Sequence, residues 1–348
     1  MNPVALSNAL LAELLAEAAR ETDGMRQKAL KRAAGSAFLW PEEADHILRS
    51  GRSLTELHGI GPFIAGKLQG WLEQPPPRSG LGDPLRHDFL TRAEACIILA
   101  NDPSWRERLR GDLHMHTDWS DGSGRVQEMA AAGRAAGYEY IAITDHSKGL
   151  KIAGGIDEAE VAEQAKEIAL VNETAAGVAP TVLHSIELNL NPRGEGDMEP
   201  VCLASLDLVL ASFHSALRLK EDQTGRYLAA LRNPAVQILG HPRGRVYNYR
   251  VGLAADWPRV FAEAARLDKA VEIDCYPDRQ DLNVELLELA RAAGTRVSLG
   301  TDSHHVWQLE FIDLGLAAAC KAGISPRRVV NFMPMSELRQ WIAKTRRG

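Results

Sequence analysis

The chemistry of this chain begins at Asp112-Leu113-His114-Met115-His116. Two histidines one residue apart fall on one face of a β-strand, because alternate side chains of a strand point the same way. Asp121 follows five residues after His116, on the loop expected to leave that strand. Imidazole nitrogens and a carboxylate converging from one strand and its loop are the opening of a metal site.

Other strand-like segments end in the same residue types. Tyr140–Thr144 runs into Asp145-His146, Thr181–Ile186 into Glu187, and Leu206–Phe213 into His214. Val236–Gly240 runs into His241, and Arg296–Thr301 into Asp302-Ser303-His304; Ala270–Cys275 is a further strand. The collected set is His114, His116, Asp121, His146, Glu187, His214, His241, Asp302 and His304, with six of the chain's eleven histidines. These groups are too many for one tetrahedral ion. They suit two or three divalent ions, Mn, Zn or Fe, with a carboxylate such as Glu187 bridging. His184 is not needed, and the side chain of His305 diverges from that of His304, so structural roles are expected for both. Lys148, Arg243 and Arg245 follow strand ends and are candidates to clamp a substrate phosphate.

Alanine-rich helical stretches separate these strands, for example Gly124–Ala136, Glu158–Ala176 and Asn283–Ala293. Repeated strand–helix units predict a parallel sheet long enough to close into a barrel, whose strand C-termini converge on one face. The front of the chain differs. Leu6, Leu10, Leu11, Leu14 and Leu15 recur at helical spacing, and residues 4–35 read as helices. A short helix over Ser53–Leu57 then meets His58-Gly59-Ile60-Gly61-Pro62, with Pro62 at the first position of a second helix. Gly59 and Gly61 are expected to turn the backbone so that free N–H groups face a phosphate oxygen. Gln74–Pro84 is a linker by composition. The expected organisation is a helical region over 1–74, linker and connecting helices over 75–109, and a barrel over 110–348.

Composition sets limits on partners and compartment. The chain has 348 residues, 45% of them hydrophobic, and a formal net charge of -6, so no global charge calls for a polyanion. Over residues 1–75 eight basic residues stand against nine acidic ones, so phosphate contact there would rely on backbone amides and be weak. Four widely spaced cysteines form no disulfide framework, and a reducing cytoplasm is the expectation. Met1–Glu21 has no signal-peptide core, and no apolar run approaches a membrane span.

The motifs Gly-Asp-Leu-His-x-His-x-x-x-Ser-Asp-Gly, Tyr-Ile-Ala-Ile-Thr-Asp-His-Ser, Gly-His-Pro-x-Gly-Arg and Thr-Asp-x-His resemble a PHP (polymerase and histidinol phosphatase) domain, above all the one at the C-terminal end of bacterial family X DNA polymerases. The resemblance covers roughly residues 110–345. It implies an α/β fold, a distorted (β/α)7 barrel preceded by a small all-α helix-hairpin-helix domain. It also implies a trinuclear site: His114, His116, Glu187 and Asp302 on one ion, Glu187, His214 and His241 on a second, Asp121, His146 and His304 on a third.

The front resembles that polymerase family's N-terminal eight-kilodalton domain, which implies non-sequence-specific DNA contact through Gly59, Ile60, Gly61 and Lys67. Lys67 falls where eukaryotic relatives carry a Schiff-base lysine. The loop Trp40–Asp45 is acidic where a 5′-phosphate pocket would want basic residues, so Lys67 is read as a solvated helix lysine. The polymerase palm with its paired aspartates has no counterpart between the two parts. The expectation is a metal-dependent phosphoesterase acting on DNA ends or abasic sites (3′–5′ exonuclease, 3′-phosphatase or abasic-site endonuclease) in repair, alongside a separately encoded polymerase. The rivals are a histidinol-phosphatase-like phosphomonoesterase for a small ester and a non-catalytic DNA-binding scaffold. An amidohydrolase is disfavoured, because no lysine sits at a strand end to bridge metals as a carbamate.

Overall fold

The computed structural model describes residues 6–76, 83–175, 177–178 and 180–347. Most of the expected linker, residues 77–82, and position 176 of the expected helix lie outside the described residues.

Four α-helices build the head: α1 (Asn8–Arg20), α2 (Gly24–Ser36), α3 (Ala44–Arg49) and α4 (Pro62–Glu73). Leu11 and Leu15 are fully buried with Leu30, Trp40, Ile47 and Leu68 in a core of their own. The acidic loop before α3 is explained by local bonding. Glu43 accepts the backbone N–H of Asn8 at 2.6 Å, Glu42 pairs with Arg52 at 3.0 Å, and Asp45 pairs with Arg49 at 2.9 Å. The segment expected as a short helix is a single 3-10 turn, Leu54–Glu56, and α4 starts at Pro62 as expected.

Two connecting helices follow, α5 (Arg92–Asn101) and α6 (Ser104–Arg108). Leu99 and Trp105 pack in the barrel's apolar cluster and not in that of the head, so this stretch is part of the barrel wall. The barrel strands are β1 (Gly111–Met115), β2 (Tyr140–Ile143), β3 (Thr181–Asn189), β4 (Leu208–Ser212), β5 (Ile238–Leu239), β6 (Ala270–Asp274) and β7 (Arg296–Gly300). They are parallel in the order β1-β2-β3-β4-β5-β6-β7. Each is followed by a helix: α7 (Val126–Ala135), α8 (Glu158–Ala175), α9 (Pro200–Ser205), α10 (Thr224–Arg232), α11 (Trp257–Arg266), α12 (Val284–Ala293) and α13 (Ile312–Lys321). A last helix, α14 (Met335–Thr345), packs Leu338, Trp341 and Ile342 against Leu113, Leu183, Leu208 and Ile238 of the strands.

The barrel is distorted where it closes. β1 and β7 meet at their C-terminal ends, through His116 N–H to Ser303 O at 2.8 Å and Asp302 N–H to His114 O at 3.0 Å. Farther down, the Asn331 carboxamide fills the seam. It donates to Gly111 O and Leu299 O and accepts from Leu299 N–H, all within 2.9 Å. A buried ladder group must find a partner, and Asn331 supplies it.

Head and barrel meet where Leu39 packs on the barrel's apolar cluster and at the loop between β5 and α11. Tyr247 of that loop stacks edge-on with Phe38 (4.6 Å) and Phe89 (5.2 Å). Asn248 donates its N–H to Leu85 O at 2.9 Å and accepts from Arg86 at 3.2 Å; the Arg86 side chain also meets Glu13 at 3.2 Å. The helical head is therefore docked on the loop that directly follows His241.

Candidate metal centre

The nine expected groups are brought together at the C-terminal mouth of the barrel. His114 lies in β1 and His116 one residue beyond it, and both are fully buried. β3 runs three residues past its expected end, so Glu187 sits within the strand and not after it. The first half of β3 pairs with β2 and the second with β4, which explains its length. Glu187 is the hub. Its Oε1 lies 2.8 Å from His241 Nε2 and 3.2 Å from His214 Nε2. Its Oε2 lies 2.8 Å from His146 Nδ1, 3.6 Å from His114 Nε2 and 3.7 Å from His116 Nε2. Asp302 Oδ1 is 3.0 Å from His116 Nε2, and Asp121 Oδ1 is 3.2 Å from His304 Nε2 and 3.5 Å from His146 Nε2.

The donors divide into four overlapping groups, each compact enough for one ion. They are His116 with Asp121, His146 and His304; His114 with Glu187 and His241; His114 with His116 and Asp302; and His146 with Glu187 and His214. His116 and His146 keep the companions the resemblance implies, and in addition His116 lies with the Asp121 group and His146 with the Glu187 group. Each of these two rings has one nitrogen facing either side.

The donor set fits cations on two observations. His146 Nδ1 and Glu187 Oε2 are 2.8 Å apart, buried, and make no hydrogen bond with each other or any other group, as two ligands of one ion would. Three imidazoles are also held with Nδ1 bonded outward and Nε2 turned inward. His114 Nδ1 meets Glu272 Oε1 at 2.7 Å, His214 Nδ1 meets Asn189 Oδ1 at 3.2 Å, and His304 Nδ1 meets Asp302 O at 2.8 Å. Outer partners of this kind fix the tautomer and leave the inner lone pair for a metal. Burial, with His146 and His304 nearby, pushes the His116 pKa down to about 3 and keeps that ring neutral. Burial works against ionising Glu187, but the surrounding imidazoles His214, His146, His114 and His241 hold its carboxyl well below the usual range.

The sequence pattern found the β6 strand but not its two carboxylates. Glu272 and Asp274 alternate inside an apolar strand, so both face inward. Glu272 braces two ligands at once, His114 through Nδ1 and His241 through its backbone N–H at 2.7 Å. Room for it is made by Gly300 and Gly240: a Cβ on Gly300 would overlap Glu272 Oε1 and His114 Cβ, and one on Gly240 would overlap Ser212 Oγ. Arg279, on the loop after β6, lies 2.7 Å from Asp302 Oδ2 with its side chain 35% exposed. Asp302 itself has a positive φ of 52°, a left-handed conformation uncommon for non-glycine residues.

The three expected phosphate clamps are differently employed. Arg245 is buried, its guanidinium 3.6 Å over Phe89 and bonded to Arg279 O and Asp88 O, both at 2.9 Å. It pins the head to the barrel and is not free for a phosphate. Arg243 donates to Val251 O at 2.8 Å and Asn283 Oδ1 at 3.4 Å, bracing its own loop. Lys148 is paired with Glu158 at 2.7 Å. Arg279, beside Asp302, stands nearer the donor cluster than any of the three. His184 and His305 stand outside all four donor groups, as expected.

In the head, Gly59 has φ +77° and Gly61 has an extended φ of -88°, so only Gly59 needs a glycine's freedom. The hairpin borders a cleft of about 790 Å3 lined by Lys31, Arg32, His58 and Phe63. Lys67 is half-buried with its Nζ 4.8 Å over the Trp71 ring, packed and not simply solvated. No helix among the described residues is long and apolar enough to cross a membrane.

Comparison with known proteins finds the PHP domain over residues 112–271. The DNA polymerase/3'-5' exonuclease PolX of Bacillus subtilis is 34% identical over 238 residues, 68% of this chain but 41% of PolX, so the chain spans less than half of that relative's length. A probable phosphatase of Photobacterium profundum is 30% identical over 204 residues, 56% of this chain and 77% of that protein. The solved histidinol phosphate phosphatase of Lactococcus lactis, with zinc, L-histidinol and phosphate, is similar at 18% identity and a TM-score of 0.47, covering 62% of this chain and 94% of that one.

Proposed function

We propose, from the premise that this chain belongs to the PHP-domain family and is a metal-dependent phosphoester hydrolase, that its substrate is DNA: a 3′ end or an abasic site in repair. The observation that carries the hydrolytic part is the convergence of five imidazoles within 3.7 Å of the Glu187 carboxylate. His114, His116, Asp302, Glu187, His214, His241, Asp121, His146 and His304 would hold two or three divalent cations. Mn, Zn or Fe bound there would polarise the phosphoryl oxygens and make a bound water acidic enough to act as nucleophile. The chain's own residues supply orientation. Glu272, Asn189 and the Asp302 carbonyl fix the three ring tautomers, and Arg279 has guanidinium N–H groups free to meet a phosphate oxygen at the rim.

The DNA part is supported by the docked head. Its hairpin offers the N-terminus of α4 beside Lys31, Arg32 and His58, and the head sits on the loop that leaves His241. A small phosphomonoester remains the second reading, because the Photobacterium relative is named a probable phosphatase. Mn²⁺-dependent release from 3′-labelled DNA, abasic DNA and histidinol phosphate, with Asp302→Ala as control, separates the two. Cleavage of DNA by the wild type alone supports the proposal. Cleavage of the small ester with every DNA left intact overturns it.

A further inference from the structure

One side of the barrel mouth carries side chains that the metal cluster does not use. After β5 the loop buries Tyr247 in the head, turns at Asn248 (φ 55°), and leaves Tyr249 59% exposed. The Arg218 guanidinium, from the loop after β4, lies 4.6 Å from the Tyr249 ring centroid, and that of Arg250 lies 5.9 Å away. Among the described residues the Arg218 side chain has no ion pair or hydrogen bond, and the Arg250 guanidinium donates only to the Gly244 carbonyl. Arg279 approaches from the loop after β6, and burial together with the charges of Arg279 and Arg218 makes Arg250 a weaker base. On the loop after β7, three residues past His304, Trp307 is 53% exposed and rests edge-on against Phe311.

The Arg218 and Arg250 guanidinium groups, gathered at Tyr249 without carboxylate partners among the described residues, repel one another and are relieved by phosphates. The exposed Tyr249 ring beside them, and the exposed Trp307 ring on the loop after β7, offer π-faces, which an unpaired base can cover and a paired, stacked base cannot. A small ester needs one phosphate clamp and no exposed ring beside a pair of guanidinium groups. We infer that the β4, β5, β6 and β7 loops form a track for single-stranded nucleic acid leading from the helical head to the metal cluster. Tyr249 and Trp307 stack unpaired bases beside the scissile phosphate, and Arg218 and Arg250 hold the flanking phosphates. The inference rests on the DNA substrate proposed above and adds where, and in what strand state, it is held.

Fluorescence anisotropy on the full chain tests it, with a fluorescein-labelled phosphorothioate oligothymidylate of about twelve nucleotides, which resists cleavage, and a matching duplex. The single strand is expected to bind more tightly than the duplex. Tyr249→Ala and Trp307→Ala are each expected to weaken it about 5- to 150-fold, with Tyr249→Phe restoring most of the loss. Arg218→Ala and Arg250→Ala should each reduce the slope of log affinity against log salt by about 0.7. Thermal melting confirms that the variants are folded. Alanine variants that bind within twofold of wild type with unchanged slopes, or a duplex preferred over the single strand, overturn the track and leave the DNA substrate standing. A wild type that binds neither nucleic acid at low salt removes both.

Discussion

At the scale of single residues, the centre depends on groups that touch the ligands as much as on the ligands. Glu272→Gln keeps the shape but removes the charge that His114 Nδ1 and His241 N–H both meet. Metal affinity is expected to fall about 10- to 100-fold, read by competition with a chelating dye. Gly300→Ala drives a methyl into Glu272 and His114, and is expected to cost about 1–3 kcal/mol in urea denaturation. Most of the nine ligand candidates were legible because they stand at or just past the end of an apolar run, where such residue types are costly to place otherwise; Asp121 and His304 were legible from the motifs around them. Glu272 and Arg279 were not. Glu272 hides inside an apolar strand, and Arg279 stands five residues beyond it with no motif around it. Arg245 was misread because its neighbours in sequence, Gly-His-Pro-x-Gly, suggest a mouth residue. Only the fold brings Phe89 over it from more than 150 positions away.

Among elements, the hairpin gives the sharpest contrast. Gly59→Ala places a side chain at φ +77° with its Cβ 3.1 Å from Ser36 Oγ, and is expected to cost about 1–2 kcal/mol and weaken DNA binding. Gly61→Ala, at an extended φ with open space around it, is expected to change the stability of the head by no more than about 0.5 kcal/mol, as a surface substitution does. Thermal melts of the two variants check the pair. Helices α7, α8 and α12 lie within a residue or two of where their alanine-rich periodicity put them, because an amphipathic repeat carries its own register. β3 and β5 were harder: one is lengthened by pairing with different neighbours along its two halves, and the other is cut to two residues. Strand ends are set by partners distant in sequence.

For the whole molecule, stability and assembly of the site can be tested apart from chemistry. Lys269 is buried beneath the barrel, its Nζ 2.5 Å from Asn233 O, and burial lowers its pKa to about 8 from 10.5. The unfolded chain therefore binds the proton more tightly, and stability gains from this group as pH rises between about 8 and 10.5. Lys269→Met is expected to stabilise the chain by about 1–2 kcal/mol below pH 8, with the advantage gone above about pH 10.5, measured by urea melts across that range. Barrel and helical head were foreseeable from the repeat of strand and helix and from the leucine pattern at the front. Their docking through Tyr247, Phe89 and Arg86 was not, since no local pattern records which surfaces meet.

The most direct measurement is the transition-metal content of the purified, Mn-, Zn- or Fe-reconstituted chain by elemental analysis, beside Glu187→Gln. The expected result is two or three ions per wild-type chain and at least one fewer in the variant, because the Glu187 carboxylate faces five of the six clustered imidazoles. A wild type that retains less than one ion, or a variant that retains as many as the wild type, contradicts the account.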